Sequence, residues 1–273
     1  MLAPFDLAIV RTTATFDSRL VSEHHVDAMC ASLASPIEEW LTAQRFYEPQ
    51  EELVAASAVR WFYDAYLGSV FRKSAGGSGF NNLLWLYIIA RSYRPSVIVD
   101  SGTFTGASAW ALRLGAPEAR LLSFDIDLSR LKSRVDGVEY IEKDWAQFDF
   151  SGVDLTRSLA YFDDHVDQAK RLIESQERGV SIALFDDDYT VYNFAEMAHG
   201  GFSLPKVEFV TDASLRGQTS IQYIEQGKDR EWKIDSDYLD RAARTIERIE
   251  RLPNTSEIAG HSQLPYRIVS IAK

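Results

Sequence analysis

Val97-Ile98-Val99-Asp100-Ser101-Gly102-Thr103-Phe104-Thr105-Gly106-Ala107-Ser108 is the stretch that decides the architecture of this chain. Val97 to Asp100 is a short apolar run ending in an acid, the pattern of a buried strand. Gly102 lets the chain turn tightly off that strand, and Gly106 lets backbone approach a ligand where a helix begins. The spacing is D-x-G-x-x-x-G, not the G-x-G-x-x-G of a dinucleotide phosphate loop. No Lys-Ser/Thr pair follows, so it is not a P-loop either. A strand-end acid before such a turn suits a ligand carrying hydroxyls and a positive charge better than a pyrophosphate. An ordinary βα turn that needs glycine accounts for the same residues.

Working outward, strand-like and helix-like segments alternate. A helix is expected over about Asn82 to Tyr93. Further strands are expected at Leu121 to Asp125, Val138 to Ile141, Leu159 to Asp163 and Ser181 to Phe185, with a helix from His165 to about Gln176. Apolar strands alternating with helices predict a parallel sheet covered on both faces. The expected fold is therefore α/β, a Rossmann-like doubly wound and mainly parallel sheet over residues 80–273, with a helical N-terminal extension over residues 1–79. In that extension Ser35-Pro36-Ile37-Glu38 has the form of a helix start. Leu53, Ala56, Val59, Tyr63, Tyr66 and Val70 recur as one helical stripe, which the run Gly76-Gly77-Ser78-Gly79 ends. Beyond residue 190, Val207 to Val210 reads as a strand, Tyr238 to Ile249 as a helix and Tyr266 to Ala272 as a last strand whose buried face the pattern leaves open.

Open parallel sheets bind ligands at the carboxyl ends of their strands. Every expected strand of the central zone brings an acid there: Asp100, Asp125, Asp144, Asp163-Asp164 before His165, and Asp186-Asp187-Asp188. Asp125 is placed to accept hydrogen bonds from ribose hydroxyls. Asp144 and Trp145 are placed to flank a base, although Trp145 reads equally as a core aromatic.

Together these residues resemble the class I S-adenosylmethionine-dependent methyltransferases. Asp100-Ser101-Gly102-Thr103-Phe104-Thr105-Gly106-Ala107-Ser108 is similar to the first motif of their catechol-type and sugar-type O-methyltransferases. The resemblance covers roughly residues 80–190. It implies S-adenosylmethionine as cofactor, with Asp100, Gly102, Thr103, Phe104, Gly106, Ser108, Asp125, Asp144 and Trp145 around it. It also implies a magnesium ion on Asp163, Asp186 and Asp187, or, one residue along, on Asp164, Asp187 and Asp188. Oxygen ligands of this kind suit a hard cation. His165, an imidazole suited to proton transfer near neutrality, and Asp164 are the candidate catalytic pair. The sequence departs from the catechol-type pattern in having Asp-Asp-His after the fourth strand and no lysine beyond it; Val166 and Asp167 stand there.

Composition narrows the partners. Forty acidic against 29 basic residues give a net charge of −11, which repels nucleic acid and anionic lipid and leaves a small-molecule acceptor as the expected substrate. Cys30 is the only cysteine, so no intrachain disulfide forms. The opening residues lack the basic flank and sustained apolar run of a signal peptide, and Leu83 to Ala90 is too short to span a bilayer. A cytoplasmic protein with no membrane partner is expected, with homo-oligomerisation left open. His24, His25, His199 and His261 show no ligand-like spacing. The competing classes are an N-methyltransferase on a small amine, an Asp-rich metal-dependent hydrolase or phosphotransferase, and a non-catalytic cofactor-binding protein.

Overall fold

The computed structural model describes residues 20, 22–44, 56–73, 77–192, 204–225 and 227–273. Leu53, Gly76 and His199 lie outside these residues. The elements in chain order are α1 (Glu23–Thr42), α2 (Ala56–Gly68), α3 (Phe80–Tyr93), β1 (Val97–Ser101), α4 (Ala107–Gly115), β2 (Arg120–Asp125), β3 (Val138–Glu142), β4 (Ser158–Phe162), α5 (Gln168–Arg178) and β5 (Ile182–Phe185). There follow α6 (Val207–Thr211), β6 (Ser220–Glu225), β7 (Lys228–Lys233), α7 (Ser236–Ala243), β8 (Ile246–Arg251), α8 (Ser256–Ala259) and β9 (Arg267–Ile271).

Seven strands form one sheet in the order β3-β2-β1-β4-β5-β9-β8. β1 to β5 pair in parallel, and β9 runs antiparallel to both β5 and β8. Alternate residues of each strand feed opposite faces. Ile98, Leu121, Leu159, Leu184 and Ile268 pack with α1 to α4, while Val99, Leu122, Ala160, Phe185 and Val269 pack with α5, α6 and α7. Both faces are covered, so the domain is a Rossmann-like, doubly wound, mainly parallel α/β sheet preceded by helices. The mixed pattern of the last strand has the same cause: β9 is buried on both sides.

Four local expectations need correction. The helix read as starting at Ser35-Pro36 begins at Glu23, with Pro36 inside it. Val26, Cys30, Leu33, Ile37 and Leu41 form one buried stripe across the proline. Ser32, whose carbonyl the proline leaves unpaired, lies on the exposed side, where solvent can satisfy it. The expected helix at His165 starts only at Gln168, because the Asp167 carboxylate caps it by accepting from Lys170 N at 3.0 Å. Val207 to Val210 is helical rather than extended. Its first amides donate to Gln168 Oε1 (2.9 Å) and Asp188 Oδ1 (2.8 Å), partners a helix start can use, and β5 already has β4 and β9 on its two edges. The expected helix over Tyr238 to Ile249 is two elements: α7 ends at Ala243, Thr245 turns back on Ala242 O through Oγ1 (2.7 Å), and β8 follows. The β6-β7 hairpin around Gly227 was not expected. No helix among the described residues is long and apolar enough to cross a membrane.

Candidate active site

Strand order reverses between β1 and β4, and the crevice at the carboxyl ends of such strands is where open α/β sheets receive ligands. A larger cavity, about 700 Å³, opens at the other end of the strands near Tyr93, Ser181, Arg248 and Lys273, away from every candidate residue.

The turn after β1 is fixed by backbone contacts. Gly102 has φ +96°, and its amide donates to Phe124 O at 2.9 Å, as does that of Thr103 at 3.2 Å. A Cβ at Gly102 would stand 2.3 Å from Asp163 O, so the glycine exists for the approach of β4 as well as for the turn. Phe104, at φ +43°, donates its amide to Asp125 Oδ2 at 2.7 Å. Asp125 Oδ1 accepts from Asp127 N at 3.0 Å. Two amides thus orient the Asp125 carboxylate at the partly exposed end of β2, each oxygen keeping a lone pair for a ligand. Gly106 (φ +91°) caps α4, and Ser108 is buried in its first turn.

Asp100 does not reach the rim. Strand β1 continues to Ser101, and Asp100 is 0 % exposed, with Oδ2 accepting from Ser123 Oγ at 2.7 Å and Oδ1 without a partner. Burial pushes its carboxyl up to about 6, against the lowering pull of the Ser123, Ser108 and Thr103 hydroxyls. The folded value lies above the unfolded one, so its stabilising contribution is complete below pH 4 and is lost as pH rises through 6. Asp100→Asn is expected to stabilise the protein by about 2 kcal/mol at pH 8 and to leave it unchanged near pH 4. Thermal melts of both proteins at the two pH values check this; equal gaps at both would exclude a titrating Asp100.

Asp144 and Trp145 are brought to the end of β3 but are engaged by the protein. Asp144 Oδ1 accepts from Ala146 N (2.7 Å) and Oδ2 from the Arg171 guanidinium (2.8 Å). Burial raises its carboxyl, yet Arg171 and the amide outweigh that and hold it below the ordinary range. Trp145 is 0 % exposed, packed by Phe150 and Phe162 with the Arg178 guanidinium 4.8 Å over its ring. It is a core residue with no face for a base, which corrects the cofactor-flanking expectation.

The acids after β4 and β5 divide into anchors and a rim. Asp164 is an anchor: its oxygens accept from Ser101 Oγ (2.6 Å), Arg171 Nε (2.9 Å) and Val166 N (3.2 Å). Asp188 is another, 1 % exposed and paired with Arg267 at 2.7 Å. Both carboxylates are held by arginines as structural anchors, so Asp164 is not placed as the expected catalytic partner, and among the described residues Asp164, Asp187 and Asp188 do not bring their oxygens together as a ligand set. Asp186 also faces inward, accepting from Tyr161 Oη (2.9 Å) and Asp187 N (2.7 Å). What converges instead is Asp163, Asp187 and His165. His165 Nε2 lies 3.8 Å from Asp163 Oδ1 and 3.9 Å from Asp187 Oδ2, around a cavity of about 10 Å³.

His165 (φ +55°) and Asp187 (φ +53°) hold left-handed backbone, as does Phe104; strain of this kind gathers where geometry is functional. Burial, then Asp186 and Asp187, pushes the Asp163 carboxyl well up. Burial and Asp187 do the same to Asp186, against the pull of the Asp187 amide, Tyr161 and Lys206. Close carboxylates cannot all ionise cheaply, so a proton stays in this group to higher pH than on an isolated acid.

Two residues that sequence reasoning missed complete the site. Arg171 is 1 % exposed and joins Asp144, Asp164 and Glu174, the last at 2.7 Å. Its position seven residues after Asp164 on a helix-forming segment was the available signal. Lys206, also 1 % exposed, immediately precedes α6 with its ammonium 6.0 Å from the centre of the Tyr189 ring; it lies far along the chain, and no local pattern marks it.

No protein-family model and no curated protein matches the sequence. Solved structures with a similar fold include a Podospora anserina methyltransferase bound to S-adenosylhomocysteine, with 14% identity, 93% of this chain and 98% of that chain covered, and a TM-score of 0.43. Human N-acetylserotonin methyltransferase in complex with S-adenosylmethionine shows 12% identity over 95% of this chain and 72% of that one, with a TM-score of 0.41. A plantazolicin methyltransferase shows 13% identity over 90% and 97%, with a TM-score of 0.41. At such distances no chemistry transfers, and the reading below rests on the chain's own residues.

Proposed function

We propose that this protein transfers a methyl group from S-adenosylmethionine to a hydroxyl of a small molecule. The observation that carries the reading is Asp125, oriented by the Phe104 and Asp127 amides beside the glycine turn of β1 at the reversal of strand order. That is the geometry for a ribose, and the turn has no phosphate-loop spacing to hold a nucleotide's phosphates. Ile126, 80 % exposed beside Asp125, offers an apolar surface to a purine. The acidic rim suits a sulfonium cation.

In the reaction the acceptor oxygen attacks the methyl carbon in line. The carbon–sulfur bond breaks, sulfur leaves as a neutral thioether, and the hydroxyl proton must go to a base. His165, with its side chain 53% exposed and Nε2 facing the cavity, is placed to take it, and Asp163 and Asp187 flank the imidazolium that forms. The same donor set, two carboxylates and an imidazole, fits a divalent cation, which would polarise the acceptor oxygen when bound. The surplus of carboxylates also favours a second reading, in which the acceptor is a cationic amine deprotonated at the same place.

The test is a thermal-shift panel with S-adenosylhomocysteine, ATP and NAD. Only the first is expected to raise the melting temperature; a shift with ATP or NAD and none with S-adenosylhomocysteine would refute the reading.

A further inference from the structure

The sheet ends in a free edge. β8 is the last strand of the order, and β9 occupies one of its two sides. Among the described residues no strand pairs with the other side. Backbone groups alternate in direction along an antiparallel strand, and Leu252 N donates inward to Tyr266 O at 3.2 Å. Arg248 and Glu250, opposite Ser270 and Ile268, therefore bond toward β9, while Ile249 and Arg251 present their amides and carbonyls outward. An unpaired row of this kind is a template for another strand.

The side chains select which strand that is. β8 reads Ile246-Glu247-Arg248-Ile249-Glu250-Arg251, with one irregularity of register between Ile246 and Arg248. When a second copy approaches antiparallel, outward groups meet outward groups only if the two-fold axis passes through a residue. With the axis at Ile249, the two Ile249 residues face each other. Arg248 of each copy then faces Glu250 of the other, and Arg251 comes opposite Glu247. With the axis at Arg248 two arginines would oppose each other, and with the axis at Glu250 two glutamates; like charges directly opposite destabilise a strand pair. Arg248 and Glu250 already pair within the chain at 2.9 Å, their side chains 31% and 34% exposed. They border the open cavity of about 700 Å³ on that face of the sheet. In the paired arrangement they close into a ring of four alternating charges, and such a network holds better than an isolated surface pair. The bulge and charges that discourage other strands are features that this copy of the same strand satisfies.

We infer that β8 is a homodimer contact, at which two copies join edge to edge across a two-fold axis at Ile249 and the seven-stranded sheet of one continues into that of the other. The contact is one strand long and therefore small, so the dimer is concentration-dependent, with an affinity of about micromolar order. It does not rest on methyl transfer, and failure to bind S-adenosylmethionine leaves it standing.

Sedimentation velocity between about 1 and 200 µM protein tests it, in about 0.15 M salt to screen the −11 charge of each copy. The wild type is expected to pass from monomer to dimer over that range. Arg248→Glu and Glu250→Arg each place like charges opposite one another and are expected to weaken the dimer at least tenfold. The double exchange Arg248→Glu/Glu250→Arg restores opposite signs across the axis and is expected to recover the wild-type dimer. A monomeric wild type, single variants that dimerise as well as it does, or a double exchange no better than the singles would overturn the inference. Should the charge variants not fold, Ile249→Cys decides. Residues facing each other at such an axis have Cα atoms about 5.5 Å apart, within disulfide range, so mild oxidation is expected to link the copies. The native thiol, Cys30, is buried and does not compete. Absence of a linked Ile249→Cys dimer would equally overturn it.

Discussion

Gly102→Ala is expected to destabilise the protein by more than about 3 kcal/mol, enough to lower the melting temperature by roughly 10 °C. Two costs add. The backbone at φ +96° is the left-handed side, worth about 1–2 kcal/mol to any residue with a Cβ. The new methyl would also stand 2.3 Å from Asp163 O, 2.4 Å from Asp163 C and 2.7 Å from Asp164 N. These are backbone atoms, and they cannot retreat without straining the bond from Asp163 N to Ser101 O at 2.8 Å. Gly152→Ala separates the two costs: its φ is +82°, but a Cβ there meets nothing within 4 Å, so about 1 kcal/mol is expected. Denaturant melts of both variants check this. Equal losses would mean that the approach of β4 to the β1 turn is looser than described.

Arg171→Met is expected to cost about 3–5 kcal/mol, because it strands three largely buried carboxylates, on Asp144, Asp164 and Glu174. The effect should depend on pH with a definite sign. Arg171 helps to hold the Asp144 carboxyl below its ordinary value, despite burial, so that part of the stability is present above about pH 4 and is lost as pH falls further. The deficit of the variant is therefore largest at neutral pH and narrows on acidification, as the stranded acids take up protons. Chemical denaturation at pH 7.5 and pH 4 measures it. A deficit that is the same at both pH values would show that Arg171 acts through packing alone, and one that widens in acid would contradict the sign argued here.

The central architecture was readable because it rests on local signals. Short apolar runs ending in acids at Asp100, Asp125 and Asp163 lie at β1, β2 and β4, each within a residue of the observed boundary. What the pattern could not carry was decided by distant partners. Pro36 sits inside a helix because a buried stripe on either side of it outweighs a local start signal. The acids of the rim look alike in sequence, yet Asp164 and Asp188 are anchors and Asp186 faces Tyr161, while His165 joins Asp163 and Asp187. Those distinctions depend on Arg171, Arg267 and Tyr161, and on backbone angles at His165 and Asp187 that composition does not announce. Trp145 shows the same limit, since a strand-end indole has one sequence signature whether it stacks on a ligand or fills a core.

The most direct measurement is calorimetric titration of cofactor-free protein with S-adenosylmethionine, for the wild type and Asp125→Ala. Circular dichroism should confirm that the variant remains folded. The account predicts micromolar binding by the wild type and at least a thirtyfold loss in the variant, from removing a charged acceptor for two ribose hydroxyls, worth about 2 kcal/mol or more. No binding by the wild type, or equal binding by a folded Asp125→Ala, would contradict it.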